Sequence, residues 1–120
     1  MRMKIRILLL IFFCLFSGNA SAEEDNFAAL YKRASGGDAI AQCQMGWIYE
    51  AGYDTAKQDK ALAASWYLKA AKNGNLEAQY AMGQFYKWGM GVPKDFNEAV
   101  KWYRAAAEQG FADAQFMMGL

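Results

Sequence analysis

Residues 78–110 read AQYAMGQFYKWGMGVPKDFNEAVKWYRAAAEQG, and the residues before them are a looser copy of the same pattern. Ala41, Gly46, Tyr49 and Gly52 recur at Ala78, Gly83, Tyr86 and Gly89, a shift of 37 positions. Asp59, Trp66, Tyr67, Ala70, Ala71 and Gly74 recur at Asp95, Trp102, Tyr103, Ala106, Ala107 and Gly110, a shift of 36. The one-residue difference falls between Gly52 and Asp59. Self-similarity at this period predicts an all-α solenoid of stacked helix pairs, because a unit this short buries its apolar face only against its neighbours.

Each unit reads as two helices. From Ala39 to about Ala51, the residues Ala41, Met45 and Tyr49 fall at i, i+4 and i+8, the stripe of an amphipathic first helix. The second helices run from Asp59 to Asn73 and from Asp95 to Gln109, with each Asp as the N-cap. Asp95 and Glu98 also have the spacing of a capping box. Ala63, Trp66, Tyr67, Ala70 and Ala71 form the inward face, repeated by Ala99, Trp102, Tyr103, Ala106 and Ala107. Gly46 recurs at Gly83 and Gly119. A glycine within a helix costs roughly 1 kcal/mol against alanine, so its return at one register implies an aromatic ring of the paired helix lying almost on its backbone. Gly36-Gly37, Gly74 and Gly110 read as helix stops, and Gly89 to Lys94, with Pro93, as a tight turn.

The start of the chain has a different character. Arg2, Lys4 and Arg6 precede the apolar run Ile7 to Phe16 and the small residues Ala20-Ser21-Ala22, which together read as a cleavable secretory signal over residues 1–22. The apolar run is about half of the roughly 20 residues that a membrane-spanning helix needs. Cys14 follows Ile11-Phe12-Phe13, whereas a lipid-attached cysteine follows small residues. Cleavage removes three basic groups and no acidic one, leaving ten basic against twelve acidic residues and a formal charge of −2. Such a chain, its basic residues scattered, has no electrostatic footprint for nucleic acid or for an anionic membrane surface. Cys43 is then the one remaining cysteine, so an internal disulfide is excluded; it reads as a small apolar residue or as a thiol for intermolecular pairing.

The series Ala78-Gln79, Met82-Gly83, Tyr86, Gly89-Met90-Gly91-Val92, Asp95, Glu98-Ala99, Trp102-Tyr103, Ala106-Ala107, Gly110 and Ala114-Gln115 resembles the Sel1-like repeat, a relative of the tetratricopeptide repeat. The organisation is then a signal over 1–22, a short mobile polar lead (Glu23 to Asn26) and the second helix of an incomplete repeat over 23–38, full repeats over 39–77 and 78–113, and the start of another over 114–120. The first full repeat departs from the pattern at Asp54-Thr55-Ala56, where the second glycine and the valine of the turn belong. The resemblance implies a right-handed superhelix of antiparallel helix pairs that serves as an adaptor surface for other proteins, and its exported bacterial members imply a periplasmic or secreted location. Some cysteine-rich relatives imply penicillin binding or β-lactamase activity. Regular cysteine pairs and an S-x-x-K serine are both missing here, so that activity does not carry over.

The chain contains no histidine, which removes the commonest general base and metal ligand. Ser35 and Ser65 are outside any G-x-S-x-G context, and Gly89-Met90-Gly91 lacks the third glycine of a dinucleotide loop. No pattern implies a catalytic residue, a metal or a cofactor. The informative positions are instead those at which the first helices differ in register: Cys43, Tyr80 and Phe116; Trp47 and Gln84; Glu50 and Lys87; Ala51 and Trp88. Their spacing puts them on one stripe, rotated away from the packing residues. That stripe, with Trp47, Glu50, Tyr80, Gln84, Lys87 and Trp88 as the binding set, is expected to line a concave groove for a protein or peptide partner, since aromatics rimmed by polar groups suit such a contact. Two other readings stay open: a cell-wall enzyme or its activator, including a β-lactamase-like one, and a structural module that self-associates through the apolar stretch Phe116 to Leu120.

Overall fold

Short polar side chains cap the start of the four helices of the two full repeats. The computed structural model describes residues 23–52 and 57–119. Among these the chain forms six helices and no strand: α1 Glu23–Ser35, α2 Ala39–Ala51, α3 Lys60–Lys72, α4 Leu76–Trp88, α5 Phe96–Glu108 and α6 Ala112–Met117. The signal segment, the departure at Asp54-Thr55-Ala56 and Leu120 lie outside the described residues. Asp59 accepts from the Leu62 amide at 3.0 Å, and Asp95 accepts from Asn97 and Glu98 at 3.0 and 3.2 Å. Asp38 and Asn75 cap α2 and α4 in the same way, the former on Ile40 and Ala41, the latter on Ala78. None of the described helices is long and apolar enough to cross a membrane.

Two local expectations are corrected. The polar residues 23–26 are helical, forming the first turn of α1. The capping box is only half made: Asp95 receives its two bonds, but its own amide donates to the Tyr86 carbonyl at 2.9 Å, and Glu98 faces Lys101 at 4.0 Å instead. The Asp59 amide does the same to the Tyr49 carbonyl at 2.8 Å. In both repeats this bond ties the end of the turn to the last residues of the first helix, taking up the donor that a capping glutamate would have satisfied.

The helices pack in chain order as antiparallel pairs, forming an all-α solenoid. All ten residues expected on the inward faces of α3 and α5 are buried. The first-helix stripe is slightly rotated from the sequence reading: Ala41, Met45 and Ile48 are in the core, as are Ala78, Met82 and Phe85, while Tyr49 and Tyr86 are half-buried. The close approach at the recurring glycine is made by the tyrosines. A Cβ placed on Gly46 would meet the Tyr67 ring at 2.7 Å, and one on Gly83 would meet Tyr103 at 2.6 Å. Gly119 differs: it lies past the end of α6 at φ 73°, with nothing within 4 Å of its Cβ position. Gly91, at φ 66°, packs against the backbone of Lys60 and Ala61 at the start of α3, so the turn of one repeat rests on the second helix of the preceding one.

A ladder of glutamines joins the repeats. Gln42, Gln79 and Gln115 donate from Nε2 to the carbonyls of Ala34, Ala71 and Ala107 at 3.0, 3.1 and 3.1 Å. Each bond leaves a first helix and ends on the second helix of the unit before it. Gln42 and Gln79 also accept, from Asn73 at 3.0 Å and from Gln109 at 2.7 Å. Both are buried, and their amides are satisfied from two sides, as a polar group in a core requires.

Candidate functional site: a cleft between first helices

The first helices of successive repeats, α2 and α4, flank a cleft of about 320 Å³. Gln44, Trp47 and Glu50 enter from α2, spaced three apart, so they share a face. From α4 come Glu77, Tyr80, Ala81 and Gln84, again at helical spacing. Tyr67 of α3 closes the floor, stacked edge-on to Phe85 with ring centroids 5.4 Å apart. Gly46 leaves room for the Tyr67 ring against α2, and the Tyr67 hydroxyl reaches Glu50 beside the cleft.

Of the six residues expected to bind, the structure brings four together. Trp47, Glu50, Tyr80 and Gln84 line the cleft. Lys87 and Trp88 lie beyond it at the end of α4, the ammonium of Lys87 5.1 Å from the centroid of the exposed Trp88 ring. Tyr80 has a second role, packing on Tyr103 and Phe111 with centroid distances of 5.5 and 5.1 Å. Phe116 is 82% exposed on α6. Sequence reasoning missed Gln44, Glu77 and Tyr67. Gln44 corresponds to Ala81 and is also a non-recurring position, but it flanks the compared stripe on its other side. Tyr67 recurs at Tyr103, so its repetition marks it as packing and hides its hydroxyl.

The cleft is acidic. Glu50 and Glu77 are its charged residues, and the ion pair among the described residues is elsewhere, between Glu98 and Lys101. Glu50 Oε2 accepts from the Tyr67 hydroxyl at 2.6 Å. Burial raises the Tyr67 phenol well above the usual tyrosine range, helped by the bond to Glu50 and by the charges of Glu50, Cys43 and Glu77. The Gln84 amide donates to the Tyr80 hydroxyl at 2.9 Å, and the carbonyl oxygen of Gln44 is buried without a donor. Ser65 is engaged with the Leu62 carbonyl at 2.7 Å on the outer surface of α3. Among the described residues no three His, Cys, Asp or Glu side chains gather as a metal site.

Comparison with known proteins agrees with this architecture. The Sel1 repeat family model matches residues 39–75 and 76–111. The structure is similar to that of a Sel1 repeat protein from Oxalobacter formigenes, with 33% identity and a TM-score of 0.83 over 98% of this chain and 87% of that one. It is also similar to Helicobacter pylori cysteine rich protein B, at 27% identity and a TM-score of 0.79, covering 96% of this chain and 87% of the other. A third likeness is to c5321, a protective antigen of uropathogenic Escherichia coli strains with an SLR fold, at 38% identity and a TM-score of 0.69 over 73% of this chain but 19% of the antigen. No curated protein matches the chain. Sel1 repeats commonly act as protein–protein interaction modules. With two consecutive repeats matched, and the glycine–tyrosine contact built alike in both, the chain belongs to the Sel1 repeat family.

Proposed function

We propose that this protein is a non-enzymatic adaptor that holds a segment of another protein in the groove along its first helices. The observation that carries the reading is the cleft between α2 and α4, open to solvent, with Trp47 39% exposed at its edge and polar groups around it. A half-exposed tryptophan in a concave site suits the anchor of a peptide contact. A bound segment running on from the cleft along α4 meets Lys87 and then Trp88, which is 64% exposed. Residues 1–22 direct the chain to export, so the partner is met in the periplasm or outside the cell.

The test is capture of partners from envelope extract by the purified chain, identified by mass spectrometry, alongside the Trp47→Ala and Trp88→Ala double variant. Loss of the captured protein with unchanged helical circular dichroism is the expected result. Equal capture by the variant overturns the groove assignment. Fractionation of cells producing a tagged chain, with N-terminal sequencing, checks export; a cytoplasmic chain that still begins at Met1 contradicts it.

A further inference from the structure

The charges and hydrogen-bonding groups of the α2–α4 cleft specify what a bound segment must place there. Glu50 and Glu77 both face it, and no cationic side chain among the described residues lines it. Tyr67 occupies one oxygen of Glu50. One N–H of the Gln84 amide, on the same wall, is taken by the Tyr80 hydroxyl at 2.9 Å. The Gln44 carbonyl oxygen is buried and accepts nothing. The charge that the described walls present is therefore wholly negative: the carboxylate oxygen of Glu50 left by Tyr67 and both of Glu77. An anionic group entering here meets two like charges, and an aliphatic one strips water from two carboxylates without replacing their hydrogen bonds.

Arginine and lysine both have the right sign, and three features separate them. A guanidinium offers five N–H donors in a plane, against three on an ammonium, which matches acceptors spread over two helices. It is less strongly hydrated, so less is lost on entering a half-enclosed space. Its flat face also suits the side of an indole, and Trp47 supplies one at the cleft edge. We propose that the α2–α4 cleft takes an arginine side chain of the bound segment, its guanidinium held by Glu50 and Glu77 and lying against the ring of Trp47. The assignment rests on the reading of the groove as a peptide site and narrows the partner to one that presents an exposed arginine. The same position in the next repeat has Lys87 in place of Glu50, so the preference is local to this cleft and fixes the register of the segment along the groove.

The test uses the full chain labelled with ¹⁵N and titrated with capped pentapeptides, alanine at every position except a central arginine, citrulline, lysine or glutamate. The arginine peptide is expected to shift the Trp47 indole and Gln44 side-chain amide signals, and citrulline, the same shape without charge, to bind about tenfold more weakly or worse. Glu50→Gln, which keeps an acceptor for Tyr67, and Glu77→Gln should each weaken the arginine peptide by about tenfold and leave the citrulline peptide unchanged. Equal affinity for arginine and citrulline, no shift at Trp47 and Gln44, or glutamate binding as well as arginine overturns the inference. Equal affinity for lysine overturns the guanidinium assignment. If the partner captured from extract still depends on Trp47 while the arginine peptide shifts nothing, the arginine site fails and the groove stands; if capture is independent of Trp47, the groove itself fails.

Discussion

The Tyr67 hydroxyl donates a 2.6 Å hydrogen bond to Glu50, whereas Tyr103, its counterpart one repeat later, has a buried hydroxyl with no partner among the described residues. The two tyrosines sit in the same way, each with its ring on a glycine of the facing first helix. What differs is the residue one turn further along that helix, Glu50 in α2 and Lys87 in α4. A lysine ammonium only donates, so it does not take over the role of the carboxylate, and here it lies by Trp88 instead.

Removing the two hydroxyls should therefore have opposite effects. Tyr67→Phe loses a charge-assisted bond and is expected to lower stability by about 1–2 kcal/mol. Tyr103→Phe removes a buried group that is not hydrogen-bonded, and should raise stability by about 1 kcal/mol. Urea midpoints of both variants against the parent decide this. A loss in Tyr103→Phe comparable to that in Tyr67→Phe shows that the second hydroxyl has a partner in solution.

The same contrast appears at alkaline pH. Burial and the neighbouring Tyr80 push the Tyr103 phenol up to about 12, above its ordinary value of about 10. The folded state holds this proton more tightly than the unfolded chain. Its contribution to stability is complete below pH of about 10 and is lost as pH rises towards about 12. Tyr67, and to a lesser extent Tyr86 with its burial and nearby Glu98 and Asp95, act in the same direction. Stability should fall steadily above pH of about 10, with tyrosinate absorbance appearing together with unfolding. The fall should be shallower in Tyr103→Phe. Tyrosinate forming fully before any loss of helix contradicts the assignment.

The repeat is legible in the sequence because packing imposes the same residues twice. Gly46 and Gly83 recur since Tyr67 and Tyr103 leave no space for a Cβ, and the alanines of α3 and α5 recur because helices must approach closely there. The cleft is only half legible. Trp47, Glu50, Tyr80 and Gln84 stand out as positions that change between repeats, but Lys87 and Trp88 change too and lie outside it, since register comparison ranks residues by difference and not by distance. Tyr67 is hidden for the opposite reason, being a packing residue whose hydroxyl reaches through the helix pair. The glutamine ladder recurs at Gln42, Gln79 and Gln115, yet a polar residue at a buried register is explained only once the carbonyls of the preceding helix are seen.

Three glycines separate steric from conformational cost. Gly83→Ala gains about 1 kcal/mol in helix propensity but drives a Cβ to 2.6 Å from a Tyr103 ring already packed on Tyr80. A net loss of about 1–2 kcal/mol is expected. Gly91→Ala meets the backbone of Lys60 and Ala61, which yields less than a side chain, at a φ of 66° that alanine disfavours. It should cost about 3 kcal/mol. Gly110→Ala has nothing within 4 Å and carries only the strain of its φ of 89°, about 1 kcal/mol. Thermal midpoints should be lowest for Gly91→Ala, intermediate for Gly83→Ala and highest for Gly110→Ala, and a Gly91→Ala protein as stable as Gly110→Ala would show that the turn does not rest on α3.

Gln79 is the test of how the repeats are coupled. Its side chain donates to Ala71 at the end of α3 and accepts from Gln109 after α5, so one amide links the first full repeat to both helices of the second. Gln79→Ala leaves a carbonyl and an amide group without partners and should cost about 2–3 kcal/mol. Gln115→Ala loses a single bond at a half-buried position and should cost about 1 kcal/mol. In a solenoid the stability of the whole is close to a sum of unit and interface terms, so the larger loss falls on the interface and not on either unit. Hydrogen exchange reads this directly. In the parent, the slowest amides of α2–α3 and of α4–α5 should exchange with one common free energy, and in Gln79→Ala the two sets should separate. If both sets fall together by the same amount, the loss is global and the glutamine is not the coupling element.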